Sequence, residues 1–168
     1  MDGTTEKLLD RLIAVIGEEA RLFEQFLGLL EHQQKMLIIG DGPELQTVNG
    51  RLQTVIAQSQ RVEKERAEAV EALRAAGGMA ADLTIARICD MADTERSLQL
   101  KNLREIILGL YGRIEETRMR NGLLVEQSLE QIQHTLETLG RVPAHRETYQ
   151  QHGGRTAEYV PLGIDRRV

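Results

Sequence analysis

The chain has 168 residues, enough for one domain, and carries a formal net charge of −5. Aromatic residues make up 3% and tryptophan is absent, so the core must be aliphatic. Such a core suits helices laid side by side better than an enzyme pocket, and the acidic balance excludes nucleic acid and anionic membranes as partners.

The first helix is expected over residues 5–38. Leu8, Leu12, Val15, Leu22, Phe26, Leu29 and Met36 alternate at spacings near four and three, with Glu19 and Gln33 as polar interruptions. Ile16, Phe23, Leu30 and Leu37 widen this stripe to the face of a globular bundle. Gly17 and Gly28 each weaken a helix by about 1 kcal/mol relative to Ala, and close approach of a neighbouring helix is the expected compensation.

Gly40-Asp41-Gly42-Pro43-Glu44 marks a sharp break: a C-cap glycine, an N-cap Asp, a proline in the first turn and a capping-box Glu. A connection this short makes the second helix, residues 43–75, antiparallel to the first. Leu45, Val48, Leu52, Val55, Val62 and Leu73 recur at heptad-like spacing, with Ser59, Arg66 and Ala69 in the same register. The mixed charges over residues 61–71 read as a solvated face. Gly77-Gly78 ends the helix.

Residues 82–91 read as a short helix capped by Asp82, docking Ile85, Ile88 and Cys89 on the bundle. Cys89 is the single cysteine; it reads as a small buried hydrophobe, excludes an internal disulfide and fits a reducing compartment. The last helix starts near Asp93 or Thr94 and reaches Leu139. Leu103, Ile107, Leu110, Ile114, Thr117, Asn121, Leu124, Ser128, Ile132 and Leu139 hold one face. At about 65 Å it outlasts the earlier helices, each roughly 50 Å, so one end must project or bend. Gly109, Gly112 and Gly122 are the candidate bends.

After Gly140 the periodicity stops. The expected division is a helical bundle domain over residues 1–140 and a flexible partner-binding tail over residues 141–168. The tail holds five arginines against three acids, a net charge of +2 that leaves −7 for the rest. It is too polar to fold alone.

No catalytic constellation is found. A carboxylate-bridged metal centre needs Glu-x-x-His on two helices, and none of the four histidines has Glu three residues earlier. Phosphate loops, nucleophile elbows and Cys-x-x-Cys pairs are absent from the sequence, so neither enzyme activity nor a cofactor or metal is expected. The N-terminus MDGTTEKLLD has no secretory pattern and no apolar run reaches 18 residues, giving a cytoplasmic, non-inserted expectation.

Surfaces remain. Asn121 and Ser128 interrupt the core stripe of the last helix. One reading makes them register-setting or satisfied core groups. The other leaves the helix end uncovered, with Leu124, Leu129, Ile132, Leu136, Leu139 and Val142 awaiting an amphipathic helix.

The segment Asn121-Gly-Leu-Leu-Val-Glu-Gln-Ser128-Leu129, the helical run to Leu139, and Tyr149 with Gly153 resemble the FlgN family of flagellar type III export chaperones. The Leu/Glu-rich first helix, the Gly-Asp turn at residues 40 and 41 and the second Leu/Glu-rich helix fit that family's plan. In the tail, Gln150-Gln151-His152 departs from the family's commonest pattern, and Tyr159 offers a second tyrosine.

The resemblance implies an export chaperone that holds hook-filament junction proteins and delivers them to the flagellar export gate. Tyr149, Gly153 and Tyr159 are the gate-docking candidates it implies. The expected fold is all-α: an antiparallel bundle or coiled coil of three long helices plus one short helix, with an irregular C-terminal tail. The alternative function is a coiled-coil scaffold that pairs with its own copy, a homodimer in the simplest case.

Overall fold

The computed structural model describes residues 3–77 and 84–138. It contains α1 (Gly3–Ile39), α2 (Gly42–Ala76), α3 (Ile85–Met91) and α4 (Thr94–Thr138), and no strand occurs among the described residues. The fold is the all-α, three-long-helix bundle that the periodicity calls for.

The α1–α2 turn forms as its residues dictate. Gly40 has φ of +75°, where L side chains are strained, and its N–H donates to the Met36 carbonyl at 2.9 Å. Asp41 accepts from the Glu44 N–H at 3.0 Å, as an N-cap should. The Glu44 carboxylate does not close a reciprocal capping box: it lies 3.1 Å from His32 Nε2, while the Asp41 N–H donates to Met36. A cross-turn partner has displaced the local one.

Helix α3 starts later than the sequence suggests. Its N-cap is Thr84, whose Oγ1 accepts from the Arg87 N–H at 3.3 Å; Asp82 lies outside the described residues. Ile88 and Cys89 are buried as expected, and the Ile85 side chain lies outside the described residues. At α4 the Asp93 carboxylate caps the first turn by accepting from the Arg96 N–H at 3.0 Å.

Helix α1 is the central element. It packs along both α2 and α4, whereas no Cα of α2 comes within 8 Å of one in α4 among the described residues. This explains why α1 buries a wide arc (Leu9, Leu12, Ile16, Ala20, Leu22, Phe23, Phe26, Leu27 and Leu30) and α2 only a narrow stripe. One core cluster joins Phe23, Phe26 and Leu30 to Val48, Leu52, Val55 and Ile114. The other joins Leu9, Leu12 and Ile16 to Ala69, Leu73, Ile88, Cys89 and Leu100.

Both polar interruptions of the α1 stripe find partners. The Glu19 carboxylate lies 3.1 Å from Arg66 Nε on α2 and is buried, so the charged run of α2 is not wholly solvated. Burial pushes the Glu19 carboxyl above its ordinary value, against the opposing pull of the Arg66 charge. Gln33 donates to Asn49 Oδ1 on α2 at 2.7 Å. The glycines give a further correction: a Cβ on Gly17 or Gly28 would meet nothing within 4 Å, so neither marks a close helix approach.

Candidate partner-binding site at the end of the last helix

Cross-helix bonds fix how α4 lies on α1. Arg96 donates to both carboxylate oxygens of Asp10, at 2.6 and 3.0 Å, and Arg113 pairs with Glu31 at 3.0 Å. Asn121 Nδ2 donates to the Leu30 carbonyl at 2.9 Å and to Gln33 Oε1 at 2.8 Å. The two helices therefore run parallel, and Asn121 stands opposite the last buried turn of α1.

The Gln33 side chain links Asn121 to Asn49, tying all three long helices at one level. Asn121 is 4% exposed, and its Oδ1 has no hydrogen-bond partner among the described residues. The two readings of the polar stripe thus divide between its members. Asn121 is a core group that sets register, whereas Ser128 is exposed and bonds only back to the Leu124 carbonyl at 2.8 Å.

Helix α1 ends at Ile39, about two turns beyond Gln33. Roughly the last ten residues of α4, about 15 Å, therefore run past their neighbour. No described residue of α4 after Asn121 is buried. Val125, Leu129, Ile132 and Leu136 fall on one face at helical spacing, and continue the seam that α1 covers below. Leu129 is 51% and Ile132 56% exposed, while Leu124 and Leu136 are half-buried. Leu139, Val142, Tyr149, Gly153 and Tyr159 lie outside the described residues.

Sequence reasoning missed Val125, which stands four residues before Leu129 on the same face. It also missed Ile38 and Ile39, each 67% exposed at the same end of the bundle. The signal for Val125 was its spacing; Ile38 and Ile39 stand outside the α1 stripe, at the helix end, where periodicity gives no signal. Over residues 121–138 the charged side chains are Glu126, Glu130 and Glu137, with no Lys or Arg.

The described residues contain no group of three His, Cys, Asp or Glu side chains able to hold a metal ion. No described helix is long and apolar enough to cross a membrane. What the arrangement can do is bind: an amphipathic partner laid along the end of α4 would bury its leucines and isoleucines.

An uncovered apolar strip on a projecting helix is a geometry that suits protein binding. Residues 1–157 match the family model described as FlgN protein, and the chain belongs to the FlgN family, whose role is that of a chaperone in flagellum biogenesis. No curated protein and no solved structure matches the chain.

Proposed function

We propose that this chain is a cytoplasmic export chaperone for hook-filament junction proteins, keeping them from premature polymerisation and delivering them to the flagellar type III export apparatus. Family membership supports the chaperone role in general, including binding of flagellar hook-associated proteins. The observation that carries the finer reading is the strip Val125, Leu129, Ile132 and Leu136 on the uncovered end of α4.

The mechanism needs no chemistry. Junction proteins that polymerise through amphipathic terminal helices would lay their apolar faces on this strip. Leu124, Leu139 and Val142 are further cargo candidates at its margins. Full burial of a Leu or Ile is worth about 1.5–3 kcal/mol, and these positions are already half covered, so each adds roughly 1 kcal/mol. Affinity stays moderate and release remains possible. In this reading residues 1–140 form the folded domain, and the tail, residues 141–168, presents Tyr149, Gly153 and Tyr159 to the export gate.

Calorimetric titration with the amphipathic C-terminal helix of a junction protein tests the assignment. Saturable one-to-one binding is expected; failure to bind any such helix would rule the reading out. The second reading, a self-pairing scaffold, predicts a homodimer without cargo, which sedimentation of the chain alone would reveal.

A further inference from the structure

We propose that the projecting end of α4 carries a second docking face, on another side from the apolar strip, and that this face takes a cationic amphipathic helix of a partner protein. Its residues are Met119, Leu123, Glu126 and Glu130.

Position sets this face apart. The four residues follow one another at spacings of four, three and four, so they share one side of the helix. That side lies about 120° round α4 from the mean direction of Val125, Leu129, Ile132 and Leu136. Met119 is 67% and Leu123 58% exposed, and both carboxylates are exposed. Leu108, itself exposed, stands on the same side about three turns below. A helix laid here leaves the strip open.

Exposed apolar side chains do not by themselves select a partner; the carboxylates beside them do. Between Glu105 and Glu116 every acid of α4 has an arginine within the helix. Glu105 pairs with Arg104 at 2.8 Å, Glu115 with Arg118 at 3.1 Å, and Glu116 with Arg120. Glu126 and Glu130 have no ion-pair partner among the described residues, and no Lys or Arg occurs over residues 121–138. They stand at i and i+4, where like charges repel and weaken a helix. The described helix also has no basic residue in its last turn, where the macrodipole favours one. The end of α4 thus carries an electrostatic cost that the described residues leave unrelieved.

A docked helix relieves it by setting Lys or Arg against Glu126 and Glu130 while its apolar residues cover Met119 and Leu123. The same end of a second copy would bring the same two carboxylates and be repelled. An anionic lipid surface is repelled for the same reason. The proposal does not depend on the cargo reading, because the strip lies on another side of the helix.

The test titrates the full chain with a fluorescent, designed helical peptide of about five turns, with Leu along one face and Lys beside it. A scrambled peptide of the same composition is the control. Saturable one-to-one binding is expected, at least about tenfold tighter than the control. Affinity should fall about tenfold in the Glu126→Gln, Glu130→Gln double variant, and should fall in Met119→Ser and as salt rises from about 0.05 to 0.5 M. It should persist in Leu129→Ser. All these positions are exposed, and the double variant should melt no lower than the parent, since a like-charge pair is removed.

Equal binding of the scrambled peptide would overturn the proposal, because attraction to an acidic body would then be the whole effect. Unchanged affinity in the double variant would overturn it too, as would absence of binding. Loss in Leu129→Ser would place the peptide on the strip instead. Self-association of the chain that disappears in the double variant would make the occupant a second copy, which also contradicts it.

Discussion

Asn121 of α4 donates to the backbone carbonyl of Leu30 in α1 at 2.9 Å, and that bond holds the last buried position among the described residues of α4. Below it the α4 stripe is covered by α1; above it no described residue is buried. A second bond from the same amide to Gln33, and from Gln33 to Asn49, fixes the three long helices in register at the base of the projecting end. The device costs something, since Asn121 Oδ1 is buried without a partner among the described residues. Polar groups at such positions are best attested as setters of register.

Removing the amide should be expensive. Asn121→Ala leaves the Leu30 carbonyl and Gln33 short of a donor and is expected to lower unfolding free energy by about 1–3 kcal/mol. Asn121→Leu, which fills the space without polar atoms, should cost less. Urea unfolding of both variants checks this; equal losses would show that the hydrogen bonds, and not the filled volume, are what matters at this position.

The Glu19–Arg66 pair should behave as a coupled unit. Glu19→Leu alone takes the carboxylate away from the Arg66 guanidinium, whose side chain is 20% exposed, and should cost about 1.5–3 kcal/mol. Glu19→Leu with Arg66→Leu should recover most of that loss or exceed the parent, because burying the pair carries its own desolvation penalty. A double-mutant cycle gives the coupling, and additive single effects would contradict it.

Acid should act on two opposed sets of carboxylates. Hydrogen bonds to Arg96 hold Asp10 and Asp93 below their ordinary values, and hydrogen bonds to Arg21 and Arg74 do the same for Glu18 and Glu71. For these four the folded state prefers the ionised form. Their contribution is present at neutral pH and is lost as pH falls through roughly 4 and below. Glu19 runs the other way: its raised value makes its contribution greatest in acid and smaller as pH rises. Thermal melting from neutrality down to about pH 4 should therefore show a steeper loss in Glu19→Gln than in the parent, and parallel curves would refute the assignment.

The glycines should split by backbone angle. Gly28→Ala adds a methyl group to open space on a helix and should stabilise by about 0.5–1 kcal/mol. Gly40→Ala forces an L residue to φ of +75° and should destabilise by about 1 kcal/mol. Melting temperatures moving in opposite directions are the expected readout; a loss at Gly28 would restore the close-approach reading.

Much of this was legible in the sequence, for reasons that particular residues make clear. The turn at Gly40-Asp41-Gly42-Pro43 combines a left-handed position, a cap and a proline, and each has a local cause. The long stripe of α4 outlasts its neighbours by simple length, so a projecting end followed from rise per residue. Partnerships across helices were not legible. Glu19 and Gln33 showed as interruptions, but the periodicity of one helix does not fix its register against another, so Arg66, Asn49 and Asn121 could not be paired with them. The same lack of register hid the division between Asn121 and Ser128, seven residues apart on one stripe. Glu44 sat at the capping-box position and turned instead to His32, a contact that only the antiparallel turn creates.

The most direct test of the central claim is binding of a junction-protein C-terminal helix to the parent chain, to Leu129→Glu and to Ile132→Glu. Both positions are more than half exposed, so the variants should fold and melt like the parent. Affinity should fall about tenfold or more in each, since a carboxylate replaces an apolar contact. Unchanged affinity in two folded variants would contradict the claim that the uncovered end of α4 is the cargo seat.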